Sequence, residues 1–469
     1  MRDEFYGKRV VILGLARQGK ALARFASKAG ADVVASDLLP LDKAGAIVDE
    51  MADVNMEFVF GAHPLSLLEG ADVLAVSGGV PSDITIVKEA RERGIQVTND
   101  SFEFFKRAES KMIGITGSAG KTTTTALTGS IVQASGRTSW VGGNIGRPLI
   151  AKLGSIGKDD VVVQELSSFQ LELWTKSPAV AAVLNVTPNH LDRHGSMEVY
   201  SSAKANIVRY QKPEDVAVLS ADDKGASALR SSIKSRLREF SLEKNVDDGA
   251  IVRDGKIWLR DGSRERAVLD LDLIPLPGRH NILNVLASTV LADSVDVDAE
   301  TIREAIATFE GVEHRLEKVR TINGVQYIND SIATAPERAI AAIDSFNEPI
   351  VLLAGGRDKD MVWDDWARSV IMNVRVVILF GELADLLQSK LEAASEEIAS
   401  TQMAEIRPAK SMEAAVRQAN RMAVPGDIVL LAPGGTSFDA FSNFAERGSF
   451  FRELVNNFAA ASEKSEVAI

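Results

Sequence analysis

The stretch from Met112 to Val132 constrains the fold of this chain more than any other. An apolar run, Met112 to Ile115, has the character of a short buried strand, and Thr122 to Val132 has helix-compatible spacing. Between them lies Gly117-Ser118-Ala119-Gly120-Lys121-Thr122-Thr123. Glycines let backbone N–H groups turn toward an anion there, and a helix start adds the positive end of its dipole. Lys121 can reach terminal phosphates, and the Thr122 hydroxyl can ligate Mg²⁺. The widespread phosphate-loop pattern wants another glycine five positions before Gly120, where Ile115 stands. The loop is therefore a shortened Gly-x-x-Gly-Lys-Thr form. The alternative is a glycine-rich turn with no ligand; the strand, glycines, lysine and paired threonines, all in order, argue against it.

A chain of 469 residues is too long for one core, and about three domains is the expectation. The net charge of −12 argues against general binding to nucleic acid or anionic membrane, though it leaves room for a local basic pocket. Cysteine is absent, which removes disulfides, thiolate metal sites and cysteine nucleophiles. The first residues carry acids and run straight into a strand, unlike a signal peptide. No apolar run is long enough to span a bilayer, so a cytoplasmic protein is expected.

The N-terminal part alternates strands with helices. Arg9 to Leu13, Asp32 to Ser36, Asp72 to Val76 and Ile95 to Thr98 read as strands, with a helix from the Gly14–Gly19 turn to about Ala29. This is a Rossmann-like pattern, and Gly14, Gly19 and Asp37 suggest a dinucleotide site. Ala16 occupies the middle glycine position, where a Cβ obstructs a pyrophosphate. A different nucleotide or a phosphosugar fits better than NAD, and a bare structural turn is the other reading.

A composition shift at Asn99 to Glu109 marks the next domain. After the phosphate loop come the glycine-rich turn Val141 to Gly146, a strand Asp160 to Gln164 ending in Glu165, and a strand Val180 to Val186 leading to His190. In a parallel sheet these polar ends share an edge with the phosphate loop. Glu165 and His190 are therefore candidates for metal or metal-water contact beside Thr122, set against a solvated strand-end acid and a loop histidine bonding backbone. A helix over Ser196 to Val208 carries Lys204, which reads as surface charge. A hairpin turns at Asp254-Gly255, and helices cover Arg279 to Ala292 and Glu300 to Phe309. Asn281 and Asn284 share a face of the first of these, where one of them could simply cap the helix.

The last part has strands Gln326 to Ile328, Ile350 to Leu353, Val374 to Leu379 and Ile428 to Leu431, each ending in a polar or glycine-rich loop. It reads as a second Rossmann-like domain, and the Ala-, Ser-, Glu- and Lys-rich tail is expected to fray.

Taken in order, Gly117 to Thr123, Gly142 to Gly146, Glu165 to Gln170, Asn185 to Asp192, His280 to Asn284, His314-Arg315 and Asn329 to Thr334 resemble the Mur ligase family. Glu165 to Glu172, Ser437 to Phe444 and Glu446-Arg447-Gly448 point to its glutamate-adding branch. The resemblance covers essentially the whole chain. It implies an α/β protein of three domains: a Rossmann-like UDP-substrate domain over 1–99, a central P-loop ATP domain with a mostly parallel sheet over 100–312, and a Rossmann-like amino-acid domain over 313–469. The implied reaction joins D-glutamate to UDP-N-acetylmuramoyl-L-alanine in peptidoglycan precursor synthesis. The sugar's carboxylate takes the γ-phosphoryl group of ATP, and the glutamate amine attacks the acyl phosphate. Such chemistry needs positioning and charge neutralisation more than a protein nucleophile. The acyl phosphate must be kept from water, which suits domain closure.

The resemblance also implies roles. Gly117, Ser118, Ala119, Gly120, Lys121, Thr122 and Thr123 hold ATP, together with Asn284, Arg315 and Asp330. Two Mg²⁺ sites involve Thr122, Glu165, His190 and a carbamylated Lys204. Arg17, Gln18, Gly79, Asn144 and Ser167 lie at the UDP-sugar, and Thr334, Lys359, Ser437 and Phe444 at glutamate. Neither nucleic acid nor membrane insertion is implied, and a monomer is expected. Leu38 and Leu39 stand where the resemblance implies polar uridine contacts, and Ile332 stands where it implies a lysine. Arg357 is an alternative cation near Lys359. A sister ligase using L-glutamate or another amino acid, a folylpolyglutamate synthetase and a non-enzymatic nucleotide-binding module are the competing readings. The N-terminal βα unit speaks against the synthetase.

Overall fold

The computed structural model of the protein describes residues 2–144, 146–398 and 405–466. Contacts divide it into two compact units, Met1–Leu273 with Ile282–Ala307 and Ile274–Asn281 with Thr308–Ile469.

The first unit holds two sheets. Runs such as Val10-Val11-Ile12-Leu13 are buried on both faces, which suits parallel strands covered by helices. Strands β1 (Arg9–Leu13), β2 (Asp32–Asp37), β3 (Glu57–Phe60), β4 (Val73–Val76) and β5 (Gln96–Thr98) form a parallel sheet in the order β3-β2-β1-β4-β5. The helix Arg17–Lys28 follows β1. At the turn between them, a Cβ on Gly19 would lie 1.8 Å from the Gly14 carbonyl oxygen. Close packing of loop on helix therefore requires that glycine whatever the ligand. Asp37 accepts from the backbone N–H groups of Leu15 and Leu39, at 2.7 and 2.9 Å. Its carboxylate organises two loops, and a dinucleotide ribose would have to compete with both bonds.

The second sheet has nine strands: β6 (Lys111–Thr116), β7 (Ser139–Gly143), β8 (Val161–Glu165), β9 (Val180–Val183), β10 (Val216–Ser220), β11 (Arg236–Ser241), β12 (Asp248–Arg253), β13 (Lys256–Asp261) and β14 (Arg264–Asp270). Their order is β14-β13-β12-β11-β10-β9-β6-β8-β7, with only β12-β13-β14 antiparallel. One core cluster joins the two sheets, with Phe5, Val10, Leu22 and Phe104 packed beside Met112, Ile150 and Val162.

Strand β9 ends three residues before the expected Val186. Leu184 still donates to the Thr116 carbonyl, but Asn185 turns to accept from Ser118 N–H at 3.0 Å, so the chain leaves the sheet for the phosphate loop. Strands β3, β10, β11, β14, β15 (Glu317–Ile322) and β19 (Glu405–Pro408) are additional to the sequence reading, and β7 occupies Val141–Gly143 of the stretch read as a glycine-rich turn. In β11 the charges of Arg-Leu-Arg-Glu mask an interior strand: Arg238 is buried and ion-pairs with Asp248 and Asp293, both at 2.7 Å.

The second unit is built on β15, β16 (Val325–Asn329), β17 (Ile350–Gly355), β18 (Val374–Phe380), β19 and β20 (Ile428–Gly434), in the order β15-β16-β20-β17-β18-β19. All pairs but β15-β16 are parallel. Apolar clusters line both faces, one around Trp363 and Trp366, the other around Tyr327 and Phe451. The terminal helix Phe444–Glu466 continues through the stretch expected to fray, while residues 467–469 lie outside the described residues.

Candidate functional site

Parallel β6, β8 and β9 place three loops at one sheet edge. The loop after β6 is the expected phosphate cradle. Gly120 has φ +80°, and a Cβ there would come within 2.3 Å of Asn284 Oδ1, so glycine is needed on both counts. The helix Lys121–Ala134 starts at Gly120 with no side-chain cap, which leaves its first N–H groups for an anion. Asn185 clamps the loop: its Oδ1 accepts from Ala119 N–H at 2.8 Å and its Nδ2 donates to the Ala119 carbonyl at 3.2 Å. Ser118 Oγ donates to the Thr187 carbonyl and lies 2.9 Å from Tyr200 Oη. Tyr200 gave no signal in the sequence, since it meets the loop only through the fold.

Two lysines converge behind the loop. Lys121 Nζ donates to the carbonyls of Gly117 and Ser118 at 2.9 and 3.2 Å. Lys204 Nζ donates to the same Gly117 carbonyl at 2.9 Å. The surface-charge reading of Lys204 is overturned, because the residue is 1% exposed, with its ammonium 4.6 Å from the centre of the Tyr200 ring. Burial, with the nearby Lys121 charge, holds the Lys204 ammonium well below the usual lysine range, and Glu165 opposes this in part.

Glu165 ends β8 between Ile115 of β6 and Gly143 of β7, and it is 1% exposed. Thr122 Oγ1 donates to its Oε2 and Asn144 Nδ2 to its Oε1, both at 2.9 Å. Among the described residues no lysine or arginine ion-pairs with this buried carboxylate. A buried carboxylate beside a threonine hydroxyl, held by neutral donors and in no direct ion pair, suits a hard oxygen-seeking metal ion. No group of three or more His, Asp or Glu stands ready to hold a metal among the described residues. Remaining ligands would have to come from bound phosphates or from a modified side chain.

His190 is exposed, with φ +54° at the start of the short helix Leu191–His194, and its ring centre lies 5.2 Å from that of Phe169. His194, which the sequence did not single out, stacks flat on Phe169 at 5.0 Å and lies 3.0 Å from Ser168 Oγ. Arg17 donates to the Asn144 carbonyl at 3.2 Å, and Gln18 Oε1 accepts from Gly78 N–H at 3.4 Å next to exposed Gly79. Ser167 caps a short helix through Gln170. Asn281 Nδ2 donates to the Pro277 carbonyl at 2.6 Å, whereas Asn284 Oδ1 accepts from Thr124 Oγ1 at 3.2 Å.

In the second unit, the loops after β16, β17 and β20 share the carboxyl edge of their sheet. Asp330 is buried and accepts from Leu316 N–H at 3.0 Å. Burial pushes its carboxyl up to about 6, against the attraction of Arg315 and Arg338. Thr334 and Ile332 are half-buried, Ser437 is buried, and Lys359 is exposed, 5.4 Å from the centre of the Phe438 ring. Phe444 opens the terminal helix and is partly exposed. Arg357, the alternative cation, is engaged by Glu382 in two bonds of 2.8 and 2.7 Å.

Residues 115–292 match the Mur ligase middle domain, and residues 314–435 match the Mur ligase glutamate ligase domain. A UDP-N-acetylmuramoylalanine--D-glutamate ligase of Acetivibrio thermocellus is 40% identical over 460 residues, covering 98% of each chain. The ligase of the same name from Pelotomaculum thermopropionicum is 40% identical over 456 residues, covering 97% of this chain and 99% of that one. The chain belongs to the Mur ligase family. Solved Mur ligases show the same fold. UDP-N-acetylmuramate-alanine ligase of Thermotoga maritima superposes with a TM-score of 0.58 at 18% identity, covering 97% of this chain and 100% of that one. The D-alanyl-D-alanyl-adding ligase of Acinetobacter baumannii gives 0.57 at 16%, covering 96% and 93%. The mixed α/β architecture with mostly parallel sheets is thus that of the Mur ligases.

Proposed function

We propose that this Mur ligase joins D-glutamate to UDP-N-acetylmuramoyl-L-alanine at the expense of ATP, as a step in making peptidoglycan precursor. The observation that carries the reading is the near-complete match to relatives of that name, 40% identical over 98% of the chain. The site chemistry supports it: a phosphate loop, a half-buried and a buried lysine and a buried carboxylate serve charge neutralisation, and no protein nucleophile is needed.

The loop amides and Lys121 would hold the ATP phosphates, with Asn284 behind Gly120 keeping the loop in shape; in the second unit Arg315 and Asp330 are assigned to the nucleotide. Thr122 and Glu165 would hold one Mg²⁺. His190 and a carbamate on Lys204 would serve a second. When bound, the metal ions would neutralise phosphate charge and leave the chain's own groups to position the reactants. Lys204 supports the carbamate assignment chemically. A neutral amine adds CO₂, and burial favours that neutral form. Arg17, Gln18, Gly79, Asn144 and Ser167 are assigned to the UDP-sugar, and Thr334, Lys359, Ser437 and Phe444 to glutamate. Among the described residues no helix is long and apolar enough to cross a membrane, in keeping with cytoplasmic work on soluble precursors.

The test is phosphate release and amide product, measured with ATP, the UDP-sugar and D-glutamate, and with each omitted in turn. Release that requires all three, with a product of the expected mass, supports the reading. Turnover without the UDP-sugar, or no amide product, would sink it.

A further inference from the structure

The sequence motif Glu446-Arg447-Gly448 has no place in the chemistry above, yet it contains one of the largest fully buried side chains in the protein. Arg447 lies in the first turn of the helix Phe444–Glu466 and is 0% exposed. All three guanidinium nitrogens are used. Nε donates to Ser331 Oγ at 3.0 Å, Nη2 to the Ser331 carbonyl at 2.9 Å, and Nη1 to the Gly435 carbonyl at 3.1 Å. No carboxylate ion-pairs with it among the described residues; Asp439 attracts it only from further away. Burial pushes its pKa down to about 10, so it remains charged at neutral pH.

A buried charge held only by neutral acceptors is costly, and an apolar side chain of similar volume would be cheaper for stability alone. The geometry gives the cost a purpose. Ser331 sits in the loop after β16, one residue before Ile332 and three before Thr334. Gly435 sits in the loop after β20, two residues before Ser437. Ser331 Oγ also donates to the Phe444 carbonyl at 2.7 Å, and Asn329 Nδ2 donates to the Gly448 carbonyl at 3.1 Å. The rigid guanidinium fork thus ties together the three segments that carry Thr334, Ser437 and Phe444. Lysine has one donor centre and cannot reproduce that fork.

We propose that Arg447 is a positioning residue for the amino-acid substrate, fixing the Asn329–Thr334 loop against Gly435–Ser437 and against the start of the terminal helix. This rests on the assignment of Thr334, Ser437 and Phe444 to the glutamate pocket. Arg447 itself touches no substrate.

The experiment measures KM separately for ATP, UDP-N-acetylmuramoyl-L-alanine and D-glutamate in the parent, in Arg447→Lys and in Arg447→Ala, with folding checked by thermal melting. The proposal expects KM for D-glutamate to rise about tenfold or more in Arg447→Lys, with the other two within about twofold. Added guanidinium should lower the D-glutamate KM of Arg447→Ala toward that of the parent. If Arg447→Ala does not fold, Ser331→Ala takes its place and should move the same KM in the same direction. An unchanged D-glutamate KM in Arg447→Lys, or all three values rising together, would overturn the proposal. Failure of the underlying function would appear separately, as absence of amide product in the parent.

Discussion

The Thr122 hydroxyl donates to the Glu165 carboxylate at 2.9 Å, joining the first turn of a helix to the end of a strand 43 residues away. Asn144 donates to the other carboxylate oxygen, so both oxygens are aimed by neutral donors. If the pair holds a metal ion, Glu165→Ala should lower turnover by about two to three orders of magnitude, the usual effect of losing a group that neutralises developing charge. Thr122→Val should act in the same direction. Thermal melting should still show a cooperative folded state, though two hydrogen bonds to the carboxylate are lost. Turnover within a few-fold of the parent in folded Glu165→Ala would remove the residue from the site.

Lys121 and Lys204 share the Gly117 carbonyl but should fail differently when replaced. Lys121→Ala should abolish acyl-phosphate formation, and nothing small should restore it, since a flexible cation at the phosphates is lost. Lys204→Ala should be nearly inactive and partly rescued by acetate or another small carboxylate, which supplies the oxygen ligand of the missing carbamate. Parent activity should also depend on bicarbonate. Full activity of Lys204→Ala would mean that its burial serves packing alone.

What the sequence made legible follows from how local each signal is. Gly117 to Thr123 carries its chemistry in consecutive residues, and buried runs such as Val10 to Leu13 announce central strands. Lys204 was misread because the helix Met197–Arg209 is covered on more than one side, with Tyr200, Ala203, Ala205 and Ile207 also buried. No single apolar stripe then shows which face is wet. Asn185 and Tyr200 reach the phosphate loop from 66 and 82 residues away, a proximity that only the fold creates. The roles of Thr334, Ser437 and Phe444 rest on resemblance, because one serine or phenylalanine in a loop has no distinguishing pattern.

Asp100 gives a prediction about stability. It is buried in the first turn of the helix Asp100–Arg107, and its Oδ1 has no hydrogen-bond partner among the described residues. Burial pushes its carboxyl from the usual 3.8 to about 7, against two backbone N–H groups and the Arg17 charge. Below pH 4 the carboxyl is protonated in both folded and unfolded chains and contributes nothing. Between about 4 and 7 the unfolded chain ionises first, so the folded state binds the extra proton and loses stability as pH rises. Above 7 the loss is complete, at most about 4 kcal/mol. Asp100→Asn should therefore melt higher than the parent at pH 8, with the difference shrinking steadily toward pH 4. A difference that stayed constant across that range would show that ionisation of Asp100 is not its source.

Ile332 bears on which glutamate is used. Its backbone N–H donates to the His314 carbonyl at 3.2 Å, and its half-buried side chain brings no charge where the family resemblance leads one to expect lysine. A glutamate dianion presents two carboxylates, and leaving one buried without a partner is unfavourable. Arg357 is tied to Glu382, but both partners are exposed and screened by solvent, so a substrate carboxylate could compete for the guanidinium. Lys359 has no carboxylate partner among the described residues and is the first choice for that carboxylate. Lys359→Ala should thus raise KM for D-glutamate by about tenfold or more, with a smaller rise for Arg357→Ala. Ile332→Lys should lower that KM by a few-fold, leaving the ATP value unchanged. In competition between enantiomers, scored as amide product, the parent should use D-glutamate. Product formed only from L-glutamate, or from a neutral amino acid, would identify Ile332 as the mark of an altered pocket and not of a tolerated exchange.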